Sequence, residues 1–123
     1  MLNITQENST PVKNLGELLL SEANRVVATD RQAVYGHPNT DFTKTAGILT
    51  SLGFNFRGEP LNATHIPIMM IAVKLSRLVN NTDCWHADSY IDIAGYVKTA
   101  GLVKEARDIK KATTTDCENC SSC

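Results

Sequence analysis

Two acidic side chains stand in a stretch whose other residues belong to a buried helix. Asp88 and Asp92 are four residues apart, among Tyr90, Ile91, Ile93, Ala94 and Val97. On a helix this spacing puts both carboxylates on one side, and Gly95 and Tyr96 continue that side one turn later. Like charges set together in apolar surroundings are costly unless a cation, a metal or a set of hydrogen-bond donors compensates. The complement is Lys74 and Arg77, three apart in a segment rich in Met, Ile, Ala, Val and Leu. Two readings follow. One is a structural ion-pair layer between two helices. The other is a polar pocket in which Lys74 and Arg77 hold phosphate, while Asp88 and Asp92 hold sugar hydroxyls or a magnesium ion.

Two further groups could reach such a pocket. Arg31 and Tyr35 are four apart, just before Gly36-His37-Pro38. Gly36 frees the backbone there and Pro38 disfavours helix at His37, and such a bend positions side chains at a helix boundary. A plain turn with a solvated arginine is the competing explanation. His37 reads as a turn residue, His65 and His86 as cap or loop residues, and Phe42 as core. Gly95 lets a neighbouring helix or a ligand approach closely.

The remaining chemistry is sulfur. Cys117, Cys120 and Cys123 have ligand spacing, with Cys84 and His86 as conceivable further zinc donors. At the extreme end of the chain, without a hydrophobic framework, the three read as a reduced, flexible tail.

The elements that must position these groups are helices. Leu15, Leu18, Leu19, Ala23, Val26 and Val27 recur at the spacing of one helical face, which predicts a helix over 15–34. A second is expected over 41–52, capped by Asn39 or Thr40, with Phe42, Ala46, Ile48 and Leu49 buried and Gly53 at its exit. A third begins at Asn62 or Thr64, takes Pro67 in its first turn and runs to Val79. A fourth runs from Ala87 to about Lys111. No run alternates as a strand does and no internal repeat is visible, so the expected fold is an all-α antiparallel bundle of about four helices. Residues 1–13 read as a flexible arm, 14–111 as one helical domain and 112–123 as a disordered tail.

A chain of 123 residues supports one domain. A net charge of -1 gives no reason to expect long nucleic acid or an anionic membrane, though a small phosphorylated ligand is compatible. The first residues lack a secretory pattern and no stretch has the length of a membrane span, so the expected location is the cytoplasm. Apolar residues such as Ile68, Met69, Ile71 and Leu78 favour a homo-oligomer.

The string Arg31-Gln-Ala-Val-Tyr35-Gly-His-Pro-Asn-Thr-Asp41-Phe42, followed by Ile68-Met-Met-Ile-Ala-Val-Lys74-Leu-Ser-Arg77 and Asp88-Ser-Tyr-Ile-Asp92-Ile-Ala-Gly95-Tyr96, resembles a family of small bacteriophage and prophage proteins. That family is distantly similar to the MazG-like and dimeric dUTPase-like all-α nucleotide pyrophosphohydrolases. Their helices carry Glu/Asp ligands for magnesium, and they form dimers or tetramers with the site between helices. By this resemblance Asp88 and Asp92 match the later acidic helix, and Lys74 or Arg77 would contact phosphate. The earlier Glu-x-x-Glu has no counterpart, because Glu17 and Glu22 are five apart and face different sides.

Phosphoanhydride hydrolysis needs metal to neutralise charge and orient water, whereas binding needs less. The resemblance therefore implies a phage-type protein that binds, and sequesters from host defence, a nucleotide or nucleotide-derived signal in the cytoplasm of an infected or lysogenic host. The expected ligand contacts are Arg31, Tyr35, Lys74, Arg77, Asp88, Asp92 and Tyr96, with no cofactor required for binding. The alternatives are a magnesium-dependent nucleoside triphosphate pyrophosphohydrolase, with Asp88 and Asp92 on the metal and the set completed by Asp41, Glu22 or a residue from a partner subunit, and an inhibitor acting through a protein surface.

Overall fold

In a computed structural model the described residues are 14–114. The expected arm at 1–13 and the cysteines at 117, 120 and 123 lie outside them. The described chain consists of helices and their connections, with one isolated bridge between Phe56 and Glu59. The all-α expectation of about four helices is met.

The first helical run begins at α1, Leu15–Arg25, where the Asn14 side chain accepts the Glu17 amide at 2.8 Å. It continues without a break through a π-helical segment, Val26–Arg31, into α2, Gln32–Tyr35. Periodicity read this stretch as one regular helix. The wider turn arises at Val26, Val27 and Thr29, β-branched residues that crowd an α-turn, and the Thr29 hydroxyl donates to the Arg25 carbonyl at 2.6 Å. Ala23 and Val27 are buried, whereas Leu15 and Leu18, at the outer turns, are more than half exposed.

Gly36, at φ 81°, ends the run, and His37 is extended, as a residue before proline should be. Helix α3 spans Pro38–Ser51, starting three residues before the expected Asp41. The imidazole rather than Asn39 or Thr40 provides the cap, with His37 Nδ1 accepting the Asn39 amide at 3.0 Å. Pro38 suits the first helical position because it has no amide to satisfy. Phe42, Ala46 and Leu49 pack inward. Ile48 does not, contrary to expectation, because two residues on from Ala46 it points to the opposite side of the helix.

After Gly53 a tight turn places Arg57 and Gly58 at positive φ, 54° and 85°, between paired Phe56 and Glu59. Helix α4, His65–Asn80, is set by a reciprocal cap: Asn62 Oδ1 accepts the Thr64 amide, and His65 Nδ1 accepts the Asn62 amide, both at 2.9 Å. A reversal at 81–86 leads into α5, Ala87–Thr114, 28 residues and about 40 Å long. This helix is the spine of the bundle and packs against α1, the π segment, α3 and α4. The core gathers Phe42, Ala46, Ala63, Ile66, Tyr96 and Val103.

Candidate functional site

Gly95 is where the π segment meets the spine. A Cβ built on Gly95 would lie 3.3 Å from Val27 Cγ2, so the absence of a side chain is what lets the two segments approach. The wide turn then carries Arg31 over α5, with its guanidinium carbon 5.7 Å from the centroid of the Tyr96 ring. Tyr96 is itself only 7% exposed.

Between these elements a solvent-open cleft forms. Val26, Val27 and Arg31 line it from the π segment, Gln32 and Tyr35 from α2, and Pro38, Asp41 and Phe42 from the start of α3. Ile91, Asp92, Gly95, Tyr96 and Thr99 form its wall on α5. The cleft is small, about 40 Å³, open to solvent on one side, and mainly apolar in its walls with a few polar groups among them.

Asp92 is held from behind. Lys74 Nζ reaches across from α4 to within 2.7 Å of Asp92 Oδ2, with side-chain exposures of 12% and 30%. This ion pair ties α4 to α5, and the lysine charge is committed to the carboxylate.

The residues singled out from sequence thus divide. Arg31, Tyr35, Asp92 and Tyr96 come together in the cleft, and Lys74 adjoins it through Asp92. Arg77 and Asp88 do not line it; both are exposed and make no ion pair among the described residues. Asp88 sits in the first turn of α5, at the edge of the bundle, where a carboxylate suits the helix dipole. Sequence reasoning left out Gln32 and Thr99, weighed Asp41 only as a spare metal ligand, and read Phe42 as core. Phe42 is core and cleft wall at once. The signal that could have found Asp41 is its place in the turn after Gly36-His37-Pro38.

Asp88 and Asp92 do not share one site: Asp88 is not among the cleft residues, and Asp92 is paired with Lys74. Among the described residues no three His, Cys, Asp or Glu side chains converge as metal ligands do.

A second hollow lies at the reversal 81–86, where Trp85 stacks on Tyr90 with centroids 4.5 Å apart and Cys84 is an exposed free thiol. Of the donors weighed for zinc, Cys84 and His86 sit at this reversal, and Cys117, Cys120 and Cys123 lie outside the described residues.

Fold and cleft define the class: a small all-α domain with one small, aromatic-walled cleft between its first helical run, the start of α3 and the spine helix. The model of the DUF6378 family, a domain of unknown function, matches residues 18–110, which include every element around the cleft. The chain belongs to the DUF6378 family. It is also similar to the Gene 55 protein of Mycobacterium phage D29, 30% identical over 82 residues, which are 67% of this chain. The chain spans 50% of that relative's length. No solved structure matches. These similarities give the chain a bacteriophage relative and carry no link to MazG-type proteins. Among the described residues no helix is long and apolar enough to cross a membrane.

Proposed function

We propose that this protein binds a nucleotide or nucleotide-derived signalling molecule in the cleft, and that in a phage setting binding sequesters the molecule from a host defence pathway. The observation that carries the reading is the meeting of Arg31, Asp41, Phe42 and Tyr96 around one small cleft. Aromatic walls give a flat base its apolar contacts, a guanidinium gives an anionic group its partner, and the carboxylates and Gln32 can accept from ring amines or sugar hydroxyls. Distant likeness to MazG-type helical scaffolds is part of this proposal. A thermal-shift screen of linear and cyclic nucleotides tests it: the reading requires a compound that raises Tm in the wild type and not in Arg31→Ala.

One observation favours hydrolysis as the second reading. Asp41 and Asp92 line the same cleft, so magnesium carried in with a substrate's phosphates would meet carboxylates from two helices. Release of pyrophosphate from a nucleoside triphosphate, abolished by Asp92→Asn, would replace sequestration with turnover. A screen in which no compound shifts Tm would favour inhibition through a protein surface.

We also propose self-association through α4. Ile68, Leu75 and Val79 are each half exposed or more, and at intervals of seven and four they share one uncharged side of the helix. A second copy brings the same apolar stripe without like-charge repulsion. Light scattering of the wild type and Leu75→Glu reads the outcome.

A further inference from the structure

The charges around the cleft can be counted. Among described side chains, Arg31, Asp41 and Asp92 line it, and Lys74 answers Asp92. Arg31 and Asp41 make no ion pair among the described residues although they line the same space. Among the described side chains the charges at the site therefore sum to zero, with one cation and one carboxylate left for a ligand.

The start of α3 adds no anion site among the described residues. The start of α3 borders the cleft at Pro38 and Asp41, and a helix start ordinarily attracts phosphate through its free amides. Here the proline has no amide, the Asn39 amide is taken by His37 Nδ1, and the Thr40 and Asp41 amides bond the His37 carbonyl at 3.0 and 3.1 Å. Asp41 itself puts a negative charge in that first turn. A polyphosphate, which carries several charges, would meet one arginine and a carboxylate.

We propose that the cleft takes a flat, amino-bearing heterocycle with at most one phosphate group, a nucleoside, monophosphate or phosphodiester rather than a di- or triphosphate. This rests on the nucleotide reading above and narrows it. The ring lies in the cleft against Phe42 and the α5 residues Ile91 and Tyr96, which line it together. Its exocyclic amine donates to Asp41, and a single anionic group sits against Arg31 at the mouth. Uracil and thymine rings, which lack the amine, fit less well.

Isothermal titration of the full chain in EDTA, with the four common ribonucleosides, their mono- and triphosphates and their 3′,5′-cyclic monophosphates as probes, decides it. At least one of the adenine, guanine or cytosine nucleosides should bind about tenfold or more tighter than uridine, and its triphosphate about tenfold weaker than its monophosphate. Asp41→Asn, which keeps size and helix-start preference, should reduce that amino-base preference about fivefold or more, with the circular dichroism spectrum unchanged. A triphosphate that binds as tightly as the monophosphate, or a base preference untouched by Asp41→Asn, would overturn the assignment and leave nucleotide binding standing. No heat from any probe at millimolar concentration would overturn both.

Discussion

Lys74 and Asp92 join α4 to α5 through one ion pair of 2.7 Å, and Asp92 turns its remaining surface to the cleft. The pair lies between the surface and buried regimes, for which measured values run from below 1 to several kcal/mol. Lys74→Met should lower unfolding free energy by about 1–2 kcal/mol, because it leaves Asp92 partly buried without its partner. The double variant Lys74→Met/Asp92→Leu should recover most of the loss in urea unfolding. A strictly additive double variant would show that the pair is not energetically coupled.

Two glycines of the same helix should respond in opposite directions. Gly101 has open space where a Cβ would go, so Gly101→Ala should raise stability by about 0.5–1 kcal/mol through helix propensity alone. Gly95 faces Val27 at 3.3 Å, and Gly95→Leu should cost about 1–3 kcal/mol through overpacking. Chemical denaturation of both variants gives the comparison, and equal effects would contradict the close approach.

The imidazole cap of α3 gives a third expectation. His37→Ala removes the acceptor of the Asn39 amide and should cost about 1 kcal/mol, whereas His37→Asn should stay close to the wild type. Thermal melts at one pH well above the imidazole range read this difference. It disappears if the cap contributes nothing.

Glu22 supplies a pH test. Its hydrogen bond to Arg25, with the charge of that guanidinium, holds its carboxyl below the ordinary carboxylate range against a smaller opposing effect of desolvation. A depressed folded pKa means that the stabilisation is fully present above the ordinary carboxylate pKa and fades as pH falls through the lowered value. The stability difference between the wild type and Glu22→Gln should therefore shrink on acidification. A difference that grows instead would give the interaction the opposite sign.

Ligand contacts separate the arginines. Arg31→Ala should weaken binding of an anionic nucleotide by about tenfold or more, the worth of one charge-assisted contact. Arg77→Ala should leave it unchanged, since Arg77 stands outside the cleft. Titration with the ligand found in the screen measures both.

Much of the helical frame was legible in the residues. Gly36 with Pro38, Gly53, and the polar stretch at Asn62 mark boundaries by local backbone chemistry, and α4 and α5 follow from sustained apolar patterning. The start of α3 was missed because an imidazole is an uncommon cap. The π segment was missed because a widened turn leaves the apolar spacing of Ala23 and Val27 nearly intact.

The candidate site was legible only in its residue types. Spacing by itself paired Asp88 with Asp92 and Lys74 with Arg77, since i,i+3 and i,i+4 neighbours share a side of a helix. It could not say how far each turn lies from the neighbouring helix. Packing decided that. One turn of α5 separates Asp88, at the bundle edge, from Asp92 inside it, and one turn of α4 separates Arg77 in solvent from Lys74 against Asp92. The sequence determined the helices and the charges they carry, because these depend on neighbours along the chain. Tertiary structure chose which charges meet, and it brought Asp41 and Phe42 to Arg31 and Tyr96, because that choice depends on how closely Val27 can approach Gly95.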